Sequence, residues 1–214
     1  MKRREFSVAA LTACTFGHSA QAQANKKPEE GIEYVSLDKR VPTEVADGKV
    51  EVIEFFWYSC PHCNAFEPRF ASWIKSVSKD VVVKRVPVRF REDFEAQQRA
   101  YYVWESLGMV EAMHVKLFNA IHNEKLNLTS GNALAAWAGK NGLAEQKFLE
   151  TFNSFGVATK ARRATQLQEA FKVQGVPALG VAGRFYTDGS LAGTTMERAL
   201  QITDYLIGEV RRGR

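Results

Sequence analysis

Cysteine is scarce in this chain: there are three in 214 residues, Cys14, Cys60 and Cys63, beside only four histidines. A structural zinc site takes about four ligands, usually with a second Cys or His pair. Once an N-terminal export segment is removed, Cys60, Cys63, His62, His114 and His122 are all that remain, so no metal is expected. Long apolar runs are missing too. Phe6 to Gly17 is only weakly apolar and shorter than the roughly 20 residues that span a bilayer, which argues against a permanent anchor. No repeat or low-complexity tract is present. Charge of one sign does not dominate: 29 Lys and Arg face 24 Asp and Glu, a net +5. Removing residues 1–22 takes away three bases and one acid and leaves +3. The basic cluster Lys160 to Arg163, with Leu167 and Phe171 beyond it, reads as a solvated helix face, so no nucleic-acid partner is expected.

What is there begins with a targeting segment. Lys2, Arg3 and Arg4 precede the weakly apolar stretch, and Ala20-Gln21-Ala22 is a small-residue cleavage signal, so residues 1–22 read as a signal peptide cut near Ala22 or Ala24. Two variants stay open: Arg3-Arg4-Glu5-Phe6 looks like a partial twin-arginine signal, and Leu11-Thr12-Ala13-Cys14 like a lipoprotein processing site. Export to the periplasm matters for the chemistry, because disulfides persist outside the cytosol. A chain with a single cysteine pair there is placed to act on the cysteines of other proteins.

That pair is Cys60-Pro61-His62-Cys63. It sits where a strand, Val50 to Phe56, gives way to a helix running toward Val77. Two thiols at a helix start can close a disulfide reversibly, and the exposed N–H groups there favour a thiolate. A purely structural disulfide is a poor alternative, since so small a loop restricts the unfolded chain by only about 2 kcal/mol. The pair therefore reads as a thiol–disulfide redox centre that needs no further cofactor. His62, between the thiols, either tunes them or is an exposed loop residue. Pro61 suits the first helical turn.

The remaining pattern is α/β. Ile32 to Leu37, the largely apolar Val50 to Phe56, and Val81 to Val88 read as strands, with Pro68 kinking the helix after the cysteines. From Phe94 to Val173 the period is helical: Phe94 to Leu107, Val110 to His122, a segment capped near Thr129 or Ser130, and two more through Phe148, Phe152, Phe155, Leu167 and Phe171. This block reads as a subdomain with its own core of Trp104, Phe118, Trp137, Phe148 and Phe152. His114 and His122 are expected at its surface or boundary. Strands Ala178 to Val181 and Arg184 to Thr187 around a Gly183 turn, then a helix from Thr195 to Val210, complete the chain. The implied organisation is a first part, residues 31–92, an inserted helical domain, 93–173, and a second part, 174–212.

Glu54-Phe55-Phe56, Cys60-Pro61-His62-Cys63 and Gly175-Val176-Pro177-Ala178, in this order across most of the chain, resemble the DsbA family of the thioredoxin superfamily. The resemblance implies a thioredoxin-like fold with an inserted helical domain. It also implies a monomer that introduces disulfides into unfolded exported proteins and is reoxidised by a DsbB-like membrane protein. Pro177 would be cis and face the disulfide, with the Val176 backbone open to pair with a substrate strand; the bland alternative is an ordinary trans strand entry. Cys60 would be the sulfur attacked by substrate, Cys63 the leaving group, and Glu54 a buried acid relaying protons to Cys63. Glu54 alternatively forms an ion pair, with Lys84 or Arg85. A reductase or isomerase using the same site, or a metal-binding or chaperone-like module, are the competing functions.

Overall fold

The computed structural model describes residues 27–191 and 195–213, so the export segment with Cys14 and Ala20-Gln21-Ala22 lies outside the described residues. The elements in chain order are β1 (Val35–Ser36), β2 (Val50–Phe56), α1 (Pro61–Ser76), β3 (Val81–Pro87), α2 (Glu95–Ser106), α3 (Val110–His122), α4 (Gly131–Lys140), α5 (Glu145–Phe152), α6 (Phe155–Ala170), β4 (Ala178–Val181), β5 (Phe185–Asp188) and α7 (Met196–Arg211). The five strands form one sheet in the order β1-β5-β4-β2-β3. β2 is parallel to β3 and antiparallel to β4, while β5 pairs antiparallel with β4 and β1. Every residue of β2 is buried, as its apolar run predicts for a strand covered on both faces.

Two expectations are corrected. The first strand shrinks from Ile32–Leu37 to two residues, because residues 31–33 form a turn closed by Glu33 N–H to Glu29 O at 2.9 Å, leaving Ile32 exposed. The last strand runs Phe185–Asp188, one residue later than the expected Arg184–Thr187, although the turn falls at Gly183 as expected. Ala182 and Gly183 both have positive φ, 52° and 63°, and Arg184 N–H closes on Val181 O at 2.9 Å. These are the dihedral signs of the tight turn whose twist matches paired strands. α1 runs on through Pro68, which lacks the N–H that would meet the Asn64 carbonyl.

The two sheet faces are covered differently. Val50, Val52, Leu179 and Val181 pack with Phe66, Phe70 and Trp73 of α1 and with Ile202 and Leu206 of α7. On the other face Ile53, Phe55 and Val86 join the helices between β3 and β4. Trp104, Phe118, Trp137, Phe148 and Phe152 are buried as expected, but they belong to one continuous core with the sheet rather than to a separate one. Phe171, just past α6, is one link in that continuity: its ring lies 5.2 Å from that of Phe55 and over the backbone of Gly180. The Lys160 to Arg163 cluster lies along α6, where Lys160 pairs with Glu105 and Arg163 with Glu44. No helix among the described residues is long and apolar enough to cross a membrane.

Gly180 is where this packing has no slack, since an added Cβ would lie 2.4 Å from the Phe171 ring. Gly180→Ala is expected to lower stability by about 1–3 kcal/mol through overpacking. Gly156→Ala, whose new carbon meets nothing nearer than Ser154 Oγ at 3.9 Å, should leave the denaturation midpoint unchanged or raise it. Chemical denaturation of both variants checks the contrast.

Candidate active site

β2 ends at Phe56, and the next four residues turn the chain into α1. Cys60 N–H closes on Trp57 O at 3.0 Å, and Cys60 becomes the N-cap of α1 with φ −80° and ψ 117°. Pro61 takes the first helical position, where a missing N–H costs nothing. The Cys60 sulfur accepts the Cys63 N–H at 3.4 Å, standing where Ser or Asp usually caps a helix. Both cysteines are free thiols. Cys60 is 7% exposed and Cys63 1%, and His62 points to solvent.

Across from the helix start, the Cys60 thiol donates to Val176 O at 3.3 Å. The Val176–Pro177 peptide is cis, so the alternative of a trans strand entry is set aside. A cleft of about 330 Å³ opens beside it, lined by His62, Val176, Pro177, Asp188 and Met196 among others. Among the described residues no group of three His, Cys, Asp or Glu side chains is arranged to hold a metal ion.

The two thiols are electrostatically unlike. A hydrogen bond from the Cys63 thiol is the main cause holding Cys60 down to about pH 6; burial opposes it, and backbone N–H groups of Cys63 and His62 assist. The His62 side chain contributes least among these causes, so its tuning role is smaller than its place between the thiols suggests. Burial pushes Cys63 well above the ordinary thiol range, and the Cys60 sulfur and the Glu54 charge push the same way.

Glu54 lies beneath this pair on β2, 1% exposed. The β2–β3 register sets Glu54 opposite Arg85 on one face, whereas Lys84 falls on the other face. Arg85 Nε lies 3.2 Å from Glu54 Oε2 without its N–H aimed at that oxygen, so the contact is a close approach rather than a hydrogen bond. Lys84 instead meets Glu51 at 2.6 Å. Burial raises Glu54 to about 8; Arg85 opposes it, and Glu67 adds to it.

The sequence reading missed the rest of this polar cluster. Glu67, one turn beyond Cys63 on α1, accepts from Arg85 Nη2 at 2.6 Å, and that one-turn spacing was the available signal. His114 was expected at the surface or boundary of the helical block; it is 3% exposed and sits at the boundary, against Tyr58 and Glu67. Its Nε2 lies 3.4 Å from Glu67 Oε2 and its Nδ1 2.8 Å from the Tyr58 hydroxyl. His122, half-buried at the end of α3, reaches Tyr58 O at 2.7 Å. Gln97, 1% exposed, holds Ser59. No pattern in the sequence pairs these helical residues with the segment before Cys60.

A parallel–antiparallel sheet, a reactive thiol at a helix N-cap and a cis-proline carbonyl facing it define a thioredoxin-fold thiol:disulfide oxidoreductase. Comparison with known proteins agrees. The family model described as DSBA-like thioredoxin domain matches residues 51–201. The chain is 39% identical to the thiol:disulfide interchange protein DsbA of Bordetella parapertussis over 98% of this chain and 97% of that protein. It is 36% identical to that of Pseudomonas syringae pv. tomato over 99% and 97%. The crystal structure of Pseudomonas aeruginosa DsbA superposes with a TM-score of 0.82 at 36% identity, covering 87% of this chain and 96% of that one. The chain belongs to the DsbA family.

Two titrations follow from the geometry. In the reduced protein, thiolate absorbance should rise with a midpoint near pH 6 from Cys60 alone, and Cys63→Ala should move that midpoint upward by removing the chief hydrogen bond. In the oxidised protein neither thiol titrates, which isolates Glu54. Its folded value, about 8, lies above its unfolded value, 4.5. The folded state thus holds the extra proton, and Glu54 favours folding below pH 4.5 and loses that contribution as pH rises through 8. Oxidised Glu54→Gln should gain stability relative to wild type between pH 5 and pH 8.5. Parallel pH profiles in denaturant would show that Glu54 is ionised throughout.

Proposed function

We propose that this chain donates its Cys60–Cys63 disulfide to exported proteins. The observation that carries the reading is the asymmetry of the two thiols at one helix start. A substrate thiolate attacks the Cys60 sulfur, the Cys60–Cys63 bond breaks, and Cys63 leaves as a thiolate. Because Cys63 is buried and its thiolate disfavoured, it takes a proton, with Glu54 as the donor within the same buried site. A second substrate thiolate then attacks the substrate sulfur of the mixed disulfide, closing the substrate disulfide and expelling the Cys60 thiolate. Two electrons pass from substrate to protein. Leaving-group stability sets the direction: with a value near 6, Cys60 is about nine-tenths thiolate at pH 7, so the reduced protein is the stabilised form.

Val176 and Pro177 support this reading as the place where substrate docks. Val176 O faces Cys60, and an extended substrate segment alongside can use the same backbone edge. The cleft bounded by His62, Pro177 and Met196 offers apolar surface next to the reacting sulfur. Pro61 serves by starting α1 and His62 by lending its backbone N–H. The chain acts in the periplasm as a monomer after removal of residues 1–22, and a DsbB-like membrane oxidase restores its disulfide. Residues 31–92 and 174–212 form the thioredoxin-like part that carries the site, and 93–173 the insertion.

Equilibration with glutathione buffers separates a disulfide donor from a reductase. The expected result is a dithiol form favoured far more than that of thioredoxin. Cys60→Ser should abolish oxidation of a dithiol peptide, and Cys63→Ser should accumulate mixed disulfides with substrate. The reduced form should also unfold at higher denaturant than the oxidised form at pH 7. The sign follows from Cys60: its folded value lies below the unfolded value, so its contribution is present at high pH and is lost as pH falls through about 6. An oxidised form clearly more stable at pH 7 would contradict a donor role.

A further inference from the structure

The segment between β2 and Cys60 is held from outside the sheet. Gln97 of α2 accepts the Ser59 N–H through Oε1 at 3.1 Å, and its Nε2 donates to Ser59 Oγ at 2.7 Å and to Leu128 O at 3.1 Å. A side chain 1% exposed is thus committed on both ends of its amide. On the adjoining residue two histidines of α3 act together. His122 Nε2–H donates to Tyr58 O at 2.7 Å, which requires the proton on that nitrogen because a carbonyl only accepts. His114 spans from Glu67 Oε2, which accepts from Nε2–H, to the Tyr58 hydroxyl, which donates to Nδ1 at 2.8 Å. Phe56 and Phe118 pack edge-on and tilted against His114 and Tyr58, so neither ring can turn away freely.

We propose that Gln97, His114 and His122 are positioning residues for the nucleophile: from the helical insertion they hold Tyr58 and Ser59 so that the Cys60 sulfur stays at the N-cap of α1. This rests on the reading of Cys60 as the attacked sulfur. None of the three touches that sulfur. Their effect is geometric, because an N-cap must keep an extended backbone while the next residue is helical; Gln97 and His122 hold the two sides of the Tyr58–Ser59 peptide just before Cys60, and His114 holds the Tyr58 side chain. Released, the cap can rotate its sulfur off the Cys63 N–H, and the thiolate loses donors. The insertion thereby sets the oxidising strength of a site that sits on the sheet and α1.

The test uses the full mature protein with thiolate absorbance against pH and equilibrium with glutathione. His122→Phe keeps the ring stacked on Phe118, whose centroid lies 6.1 Å away, and removes only the donor. Gln97→Leu removes the hold on Ser59. Each is expected to move the Cys60 midpoint up by about one unit, which at pH 7 shifts the glutathione equilibrium about fivefold toward the disulfide form. His122→Gln retains an N–H donor and should restore both readings. Unshifted midpoints and equilibria in His122→Phe, with or without lost stability, would overturn the proposal, as would failure of His122→Gln to rescue a shifted one. His122 is half-buried, so its pair of variants decides the matter even if Gln97→Leu does not fold. A wild-type protein that exchanges no disulfide would overturn the underlying reading and the proposal with it, whereas an active wild type with unshifted variants overturns the positioning role alone.

Discussion

A sulfur at a helix N-cap is the constraint around which this protein is arranged. Cap positions exist to satisfy the orphan N–H groups of the first turn, and here the group that does so is a thiol able to ionise. The backbone N–H groups that begin α1 assist the Cys63 thiol in lowering Cys60, so starting the helix contributes to activating the sulfur. Cys63, three residues on, is carried inward by helical geometry and lies 1% exposed. Donors at the cap lower one thiol while burial raises the other, and this makes the two chemically unequal.

Beneath them lies a group of charges that a stability argument alone would not retain. Removing ions from water costs several kcal/mol apiece, and pairing often does no better than a hydrophobic replacement. Arg85 is shared between Glu54 and Glu67, with its guanidinium 5.4 Å from the Phe70 ring centroid. One cation between two buried acids leaves the pair short of a positive charge, and the proton kept by Glu54 makes up the difference. Burial raises Glu54 to about 8, which suits it to the proton donation assigned to it in the proposed exchange.

The helices between β3 and β4 do more than cover one face of the sheet. Their aromatic core is continuous with Phe55 and Phe56, so α2 and α3 pack directly against β2. Polar side chains on those helices, Gln97 and His122, meet the chain segment that leaves β2. An insertion with an independent core would hinge against the sheet and could not do so.

Much of this was legible in sequence because it is local. β2 and α3 fall where apolar run length and helical period place them, β4 between Pro177 and Gly183, and the reactive pair at a strand-to-helix junction; these follow from backbone rules acting over a few residues. The cis state of Val176–Pro177 came through family resemblance, since an X-Pro dipeptide alone permits either isomer. Three matters were decided only by tertiary structure. The partner of Glu54 depended on strand register, because a shift of one residue exchanges Arg85 for Lys84. The burial of His114 depended on α3 docking against Tyr58 and Glu67, 56 and 47 residues away in the chain. The sharing of one core depended on Phe56 of β2 meeting Tyr101 and Phe118 of the helices, and on Phe55 meeting Phe171. Periodicity tells which face of an element is apolar, but not which polar group from another element will meet it, and that meeting is what sets the charges around Cys60 and Cys63.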